Sequence, residues 1–200
     1  NKYDTTASIG VWGGMLIQSV PTVPSIFKYC RFQNMSGSRE INAEYGSVHF
    51  NYCTFTNNSG SHILYFWNPN VDVSHCVFAY NSANCIWMVG RGSDTFRLKQ
   101  NTFFRNGGGV YADANTYTSV FEISDNIFWG NDQWNLHYVY VTDNYLYRSI
   151  LNLRNCIIEN GEALPQFNNT CSSKYPLFKD TVNFDFSPSW TNYPVSDSTK

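Results

Sequence analysis

Residues 48–58, VHFNYCTFTNN, return 23 residues later as VDVSHCVFAYN over 71–81. Both copies read apolar, any, apolar, two of any kind, Cys, any, Phe, and then Asn three residues on. Outward from this pair the same template fits FKYCRFQN (27–34), FRLKQNTFFRN (96–106), FEISDNIFWGN (121–131) and LNLRNCIIEN (151–160). Its Cys or Asn position passes through Cys30, Cys53, Cys76, Asn101, Asn126 and Cys156, at intervals of 23, 23, 25, 25 and 30 residues. A repeat of this kind decides the fold before any single residue does.

Every copy alternates with a period of two and is rich in Val, Ile and Phe, as strands are, and none has the length or pattern of an amphipathic helix. A unit of this length with about three short strands predicts one rung of an all-β, single-stranded, right-handed parallel β-helix, with neighbouring rungs about 4.8 Å apart. The hand follows the general preference of parallel crossovers. Leucine-rich repeats share the period, but their Leu-rich consensus is missing. Like residues should stack inside. Val48, Val71, Phe96, Phe121 and Leu151 form one column, and Phe27, Phe50, Val73, Leu98, Ile123 and Leu153 a second. The Cys or Asn position is the third, and Phe32, Phe55, Phe78, Phe103, Phe128 and Ile158 make the fourth. Stacked Asn amides bond to one another along the axis and Cys fills the same volume, so the third column reads as a structural ladder. Rungs are expected over 1–164, the first incomplete, and a closing or capping segment over 165–200. The broken first rung and the opening at Asn1 lead to the expectation of a piece of a longer chain.

Two hundred residues suit one domain with a sizeable core. Lys and Arg number 13 against 15 acidic residues, so no basic field offers itself to nucleic acid or anionic lipid. Charged residues make up 14% of the chain while Asn numbers 24, which makes the surface polar through amides and hydroxyls. No apolar run reaches the roughly 20 residues of a membrane span. Neither nucleic acid binding nor membrane insertion within this chain is expected.

The Phe-x-x-Asn runs Phe55 to Asn58, Phe78 to Asn81, Phe103 to Asn106 and Phe128 to Asn131 are accompanied by Gly13-Gly14-Met15-Leu16 and Gly108-Gly109-Val110-Tyr111, degenerate forms of GGAI. Together they resemble the repeats of right-handed parallel β-helix proteins related to the chlamydial polymorphic membrane proteins. The segment YPLFKDTVNFDFSPSW (175–190) is similar to the ending common in secreted β-helix repeat proteins. The resemblance covers about residues 10–190 and implies the fold. For function it implies less, because such repeats occur in surface adhesins, secreted proteins and carbohydrate-active enzymes. The end units depart from the motif, with Asn34 two residues after Phe32 and Asn160 two after Ile158.

An outward column of His49, Asp72, Arg97, Glu122 and Asn152 lies between the first two apolar columns. There Asp72 and Glu122 flank Arg97, a set that suits binding or cleaving a sugar; the plainer reading is an exposed ladder of alternating charges. Paired Asp, Gly-His-Gly and Arg-Ile-Lys signatures of galacturonases are absent. The four His and six Cys show no metal-ligand spacing, so neither metal nor cofactor is expected. Stacked Cys30, Cys53 and Cys76 read as buried thiols, with Cys85 beside them. Cys156 and Cys171 flank the closing segment, which a disulfide between them would tie down. Glycosylation sequons begin at Asn34, Asn57 and Asn168, all at expected corners or loops.

A second alternating strand follows each terminal Asn, visible as HILYFW, CIWMV, VYAD and LHYVYV. Taking Ile63, Ile86, Val110 and Leu136 as inward sends Leu64, Trp87, Tyr111 and His137 outward. That stripe is the expected binding surface, for a glycan, a protein or a neighbouring copy, unless a loop covers it or the register slips by one. The chain therefore reads as a non-enzymatic extracellular or cell-surface β-helix domain for adhesion or for building an assembly, with end-to-end stacking as another mode of association. A carbohydrate-active enzyme or glycan-binding module is the alternative.

Overall fold

The computed structural model describes residues 14–18, 23–38, 40–90, 94–113, 119–139, 150–163, 168–183 and 185–188. Its strands group into six rungs of three. The first rung is β1 (Met15–Ile17), β2 (Ser25–Lys28) and β3 (Arg31–Gln33); the second is β4 (Ile41–Glu44), β5 (Ser47–Asn51) and β6 (Thr54–Thr56). The third comprises β7 (His62–Trp67), β8 (Asn70–Ser74) and β9 (Val77–Ala79), and the fourth β10 (Asn84–Val89), β11 (Thr95–Lys99) and β12 (Thr102–Phe104). Then come β13 (Gly108–Asp113), β14 (Val120–Ser124) and β15 (Ile127–Trp129), followed by β16 (Leu136–Val139), β17 (Ile150–Arg154) and β18 (Ile157–Ile158). Each strand pairs in parallel with its counterpart one rung away, giving three six-stranded sheets. The expected parallel β-helix is therefore present.

All four predicted columns face the interior. The Phe32, Phe55, Phe78, Phe103 and Phe128 rings stack with centroids 4.4 to 4.9 Å apart. Such spacing is what in-register rungs about 4.8 Å apart impose on like side chains. In the first sheet, Phe66 and Met88 are sandwiched between the small Ala43 and Ala112.

Two corners in every rung are tight, and both are built alike. Between the second and third sheets, Tyr29, Tyr52, His75, Gln100, Asp125 and Asn155 take φ between 52° and 58°, and the ladder residue follows each. After the third sheet, Asn34, Asn57, Tyr80, Arg105, Gly130 and Asn160 do the same with φ between 49° and 66°. There the ladder residues are Asn58, Asn81, Asn106 and Asn131. The short motif of the first unit is resolved by this pattern. Asn34 is its corner residue, and the fully buried Met35 takes the ladder place, its N–H donating to Asn58 Oδ1 at 2.9 Å.

The last rung is covered by residues 168–172. Ser172 N–H donates to Cys156 O, Ile158 N–H to Ser172 O, both at 2.8 Å, and Asn168 Nδ2 to Leu153 O at 2.8 Å. The chain then turns back as an antiparallel hairpin of β19 (Phe178–Asp180) and β20 (Asp185–Pro188). Phe178 and Phe186 both pack on Phe104, with ring centroids 5.3 Å from it, and the Tyr80 hydroxyl donates to Thr181 O at 2.8 Å. The hairpin thus covers the outer side of the third sheet at β9, β12 and β15, while the segment before it caps the end.

Candidate functional site

The outer side of the second sheet carries the charged column where the alternation places it. His49 pairs with Asp72, Asp72 with Arg97, Arg97 with Glu122 and Glu122 with Asn152. Because the apolar residues on either side of His49, Asp72, Arg97 and Glu122 are buried, these four side chains face outward. Arg97 Nε donates to Glu122 Oε2 at 2.8 Å, with the two side chains 52% and 36% exposed. Asp125 Oδ1, on the neighbouring corner, accepts from Asn155 Nδ2 at 3.1 Å. An open groove of about 500 Å³ runs over this face, with Asp72, His75, Lys99, Glu122, Ser124 and Arg154 in its lining. Sequence reading missed one part of the surface. The corner residues Tyr29, Tyr52 and His75 stack ring on ring, at 5.2 and 4.5 Å, along its edge. Their position immediately before the Cys column was the available signal.

The aromatic stripe on the first sheet is corrected by one residue. Ile86 pairs with Leu64 and Trp87 with Tyr65, so Leu64 points inward and is fully buried, and Tyr65 takes its place outside. The corner Ser59-Gly60-Ser61 holds one residue more than its counterpart in the next rung, and one extra residue inverts which face each strand residue meets. Ile63, the second residue of β7, is buried as well. Trp87 and Tyr111 do stand outward, but half-buried rather than bare, and stacked on each other at 3.8 Å. Tyr65 is only 6% exposed. His137 pairs with Tyr111 through the backbone; its side chain lies outside the described residues.

Cys156 and Cys171 are free thiols, contrary to the expected disulfide. The pairing of Ser172 with Ile157 sets Cys171 level with Cys156, so it continues the corner column, packed against the core. Side chains at equivalent places on parallel neighbours point the same way and miss the roughly 90° dihedral of a disulfide. The closing segment is held by main-chain hydrogen bonds instead. Burial pushes the Cys156 thiol up to about 12, and Cys85 well above the usual thiol range, which makes both poor nucleophiles and poor ligands. No group of three metal-ligating side chains meets among the described residues.

Of the sequons, Asn57 is an exposed corner residue and Asn34 is half-buried at the same corner one rung away. Asn168 is exposed but committed: its Nδ2 binds Leu153 O, and its Oδ1 accepts from the Thr170 hydroxyl at 2.6 Å.

A family model described as a right-handed β-helix region matches residues 13–146. No curated protein and no solved structure matches the chain.

Proposed function

Since this chain belongs to the right-handed β-helix family, we propose that it is a non-enzymatic extracellular or cell-surface domain that presents its outer faces for adhesion. The observation that carries this reading is the Arg97 to Glu122 ion pair. Asp72 and Glu122 are two rungs apart, about 10 Å along the stack. Glycoside hydrolysis needs two carboxyl groups facing one bond across open space. Here Arg97 stands between them in register, and its guanidinium occupies one of the two carboxylates. The resemblance to repeats of surface adhesins agrees with this reading. The first rung adds a structural role: among the described residues, Phe27 and Phe32 are only half-buried there, a form suited to stacking against a further rung.

A second reading, a carbohydrate-active or glycan-binding module, draws on the groove of the second sheet. The experiment that separates the two is an assay of new reducing ends and unsaturated products on a panel of neutral and acidic polysaccharides. No product is expected from the intact chain. Product that disappears in Asp72→Asn or Glu122→Gln would replace the proposed role by catalysis.

A further inference from the structure

Six cysteines are free thiols, and the fold lines three of them up. At the corner between the second and third sheets, Cys30, Cys53 and Cys76 stand on successive rungs whose flanking strands pair in register on both sides. Their sulfurs sit alike: Cys30 Sγ lies 3.4 Å from Lys28 O, Cys53 Sγ 3.4 Å from Asn51 O and Cys76 Sγ 3.3 Å from Ser74 O. Cys53 and Cys76 each add a carbonyl of the rung before, Phe27 O at 3.6 Å and Phe50 O at 3.4 Å. One contact repeated on three rungs requires one rotamer, so the sulfurs recur at the rung spacing of about 4.8 Å. That is too far for a disulfide, whose sulfurs lie about 2 Å apart. The gap does suit an ion. Two metal–sulfur bonds of about 2.3 Å each, laid end to end along the axis, nearly span it.

We propose that Cys30 and Cys53 hold between them one soft cation of linear, two-sulfur habit, cuprous copper being the biological ion of that class. The site goes beyond the adhesive reading and does not depend on it. Soft thiolate ligands select Cu(I), whereas Zn²⁺ takes four ligands in a tetrahedron. Only two sulfurs meet here, because Cys30 and Cys76 are two rungs, about 10 Å, apart and no single ion reaches all three. Access favours the first pair over the second, since Cys30 is half-buried and Cys76 fully buried. Hydrogen bonding from the Cys76 thiol, and after it from the Cys30 amide, holds the Cys53 thiol below its usual range against the cost of burial, so one ligand is a ready thiolate. Burial and the Cys53 sulfur push the Cys30 thiol up, so its proton leaves only as the ion arrives. On binding, two copper–sulfur bonds form, the remaining sulfur protons pass to water, and copper stays in the +1 state, so nothing is oxidised. The single negative charge that results lies at the half-buried end of the column. Cys156 and Cys171 do not offer a copy of the site: a single bridge, Ile157 to Ser172, joins their segments, and burial pushes the Cys156 thiol up to about 12. The ligands are separated by the period of the repeat itself, so no short Cys spacing signals the site.

The test titrates the full chain, reduced and under argon, with Cu(I) buffered by the chelator bicinchoninate. Expected are one tightly held ion per chain, a thiolate-to-copper absorption band in the near ultraviolet, and two sulfur neighbours by X-ray absorption. Cys30→Ser, at the half-buried position, should melt as the parent chain does and weaken binding by about a hundredfold, since even the outer partners of a metal contribute up to that much. Cys53→Ser should do the same and remove the band; where it fails to fold, Cys30→Ser decides alone. Cys171→Ser, at the half-buried thiol of the far end, should leave affinity unchanged. Undiminished binding in Cys30→Ser, or an equal loss in Cys171→Ser, would overturn the site. So would three sulfurs around each ion, equally tight binding of Zn²⁺, a copper-dependent dimer in sedimentation that links the Cys30 thiols of two chains, or no uptake at all. None of these outcomes bears on adhesion or on polysaccharide cleavage, so the adhesive reading stands or falls separately.

Discussion

The two tight corners of each rung solve the same problem with different chemistry. After the third sheet the ladder is amide from Asn58 to Asn131: Asn81 Nδ2 binds Asn106 Oδ1 at 2.7 Å and Phe55 O at 3.0 Å, and the Asn81 N–H reaches Asn106 Oδ1 at 3.2 Å. Between the second and third sheets, amide holds only in the middle, at Asn101 and Asn126. On one side the ladder runs into sulfur, where the Cys53 N–H meets Cys76 Sγ at 3.4 Å and Cys76 Sγ approaches Phe50 O at 3.4 Å. An Asn side chain offers two donors and an acceptor to the rungs above and below; a thiol offers one weak donor and one weak acceptor. Both fill the corner, but only the amide satisfies it fully. Geometry thus permits either residue, and the difference between the ladders should lie in energy.

The largest effect is expected at the centre of the amide ladder. Asn106→Ala removes the acceptor of two Asn81 donors and the donor to Phe78 O and Asn131 Oδ1, all out of water. A loss of about 3 kcal/mol is expected in a urea titration. Asn101→Ala strands the Cys76 N–H and loses the bonds to Val73 O and Asn126 Oδ1. One of its neighbours is sulfur with little to lose, so about 2 kcal/mol is expected. If Asn101→Ala proved the costlier of the two, the ranking of the ladders would be reversed.

Much of this was legible in the repeat. A period of two sets the face of each residue, and in-register copies at fixed intervals specify which residues stack, so the interior columns and the row from Asp72 to Glu122 followed directly. The aromatic stripe was displaced where corner length varies: nothing local distinguishes Ser59-Gly60-Ser61 from its shorter counterpart, and Ile63 and Leu64 are equally apolar. Asn58 and its successors were visible as a motif, but their inward pairing became evident only with the corner residue Asn57 at positive φ. The Cys156 to Cys171 pairing failed for another reason. Proximity was inferred correctly, but the direction of the side chains depends on parallel pairing that sequence does not display.

Glu40 shows what happens when a buried polar group has no ladder to join. It is fully buried, its carboxyl oxygens have no aligned donor, and it fits because Gly60 has no side chain to meet it. Burial holds its carboxyl above the usual range, offset in part by the amides of Glu40, Gly37 and Gly60. A folded-state value above the unfolded one favours folding of the protonated form. Stability should therefore be greatest below the unfolded pKa and decline as pH rises through the raised folded value. Glu40→Gln is expected to flatten that decline and to add about 1 kcal/mol at neutral pH. Thermal melts at acidic and neutral pH check it; a Gln variant with the wild-type slope would show that the decline has another source.

Cys76→Asn tests the comparison from the opposite side, by extending the amide ladder one rung. The new Oδ1 would meet the Cys53 N–H, and the new Nδ2 would reach Phe50 O, as Asn101 Nδ2 reaches Val73 O at 2.8 Å. The added volume must fit beside Asn101, so strain offsets part of the gain, and a net change within about 1 kcal/mol is expected. A cost equal to that of Asn101→Ala would mean that this corner selects sulfur for its size.

The smallest effect belongs to the ladder that stands in water. Arg97 and Glu122 occupy adjacent rungs in register, as Asn101 and Asn126 do, and their 2.8 Å contact is as short as any in the corner. Spacing and pairing are therefore the same, and only the surroundings differ. Exposed charges keep most of their hydration when apart, pay side-chain entropy when together and are screened by salt, so such a pair contributes about 0.5 kcal/mol or less. Arg97→Ala should accordingly move the urea midpoint by a fraction of the Asn101→Ala shift, and added salt should erase the difference. Comparable losses would show that stacking in register is itself the source of stability. The expected disparity places it in burial, where a missing partner cannot be replaced by water.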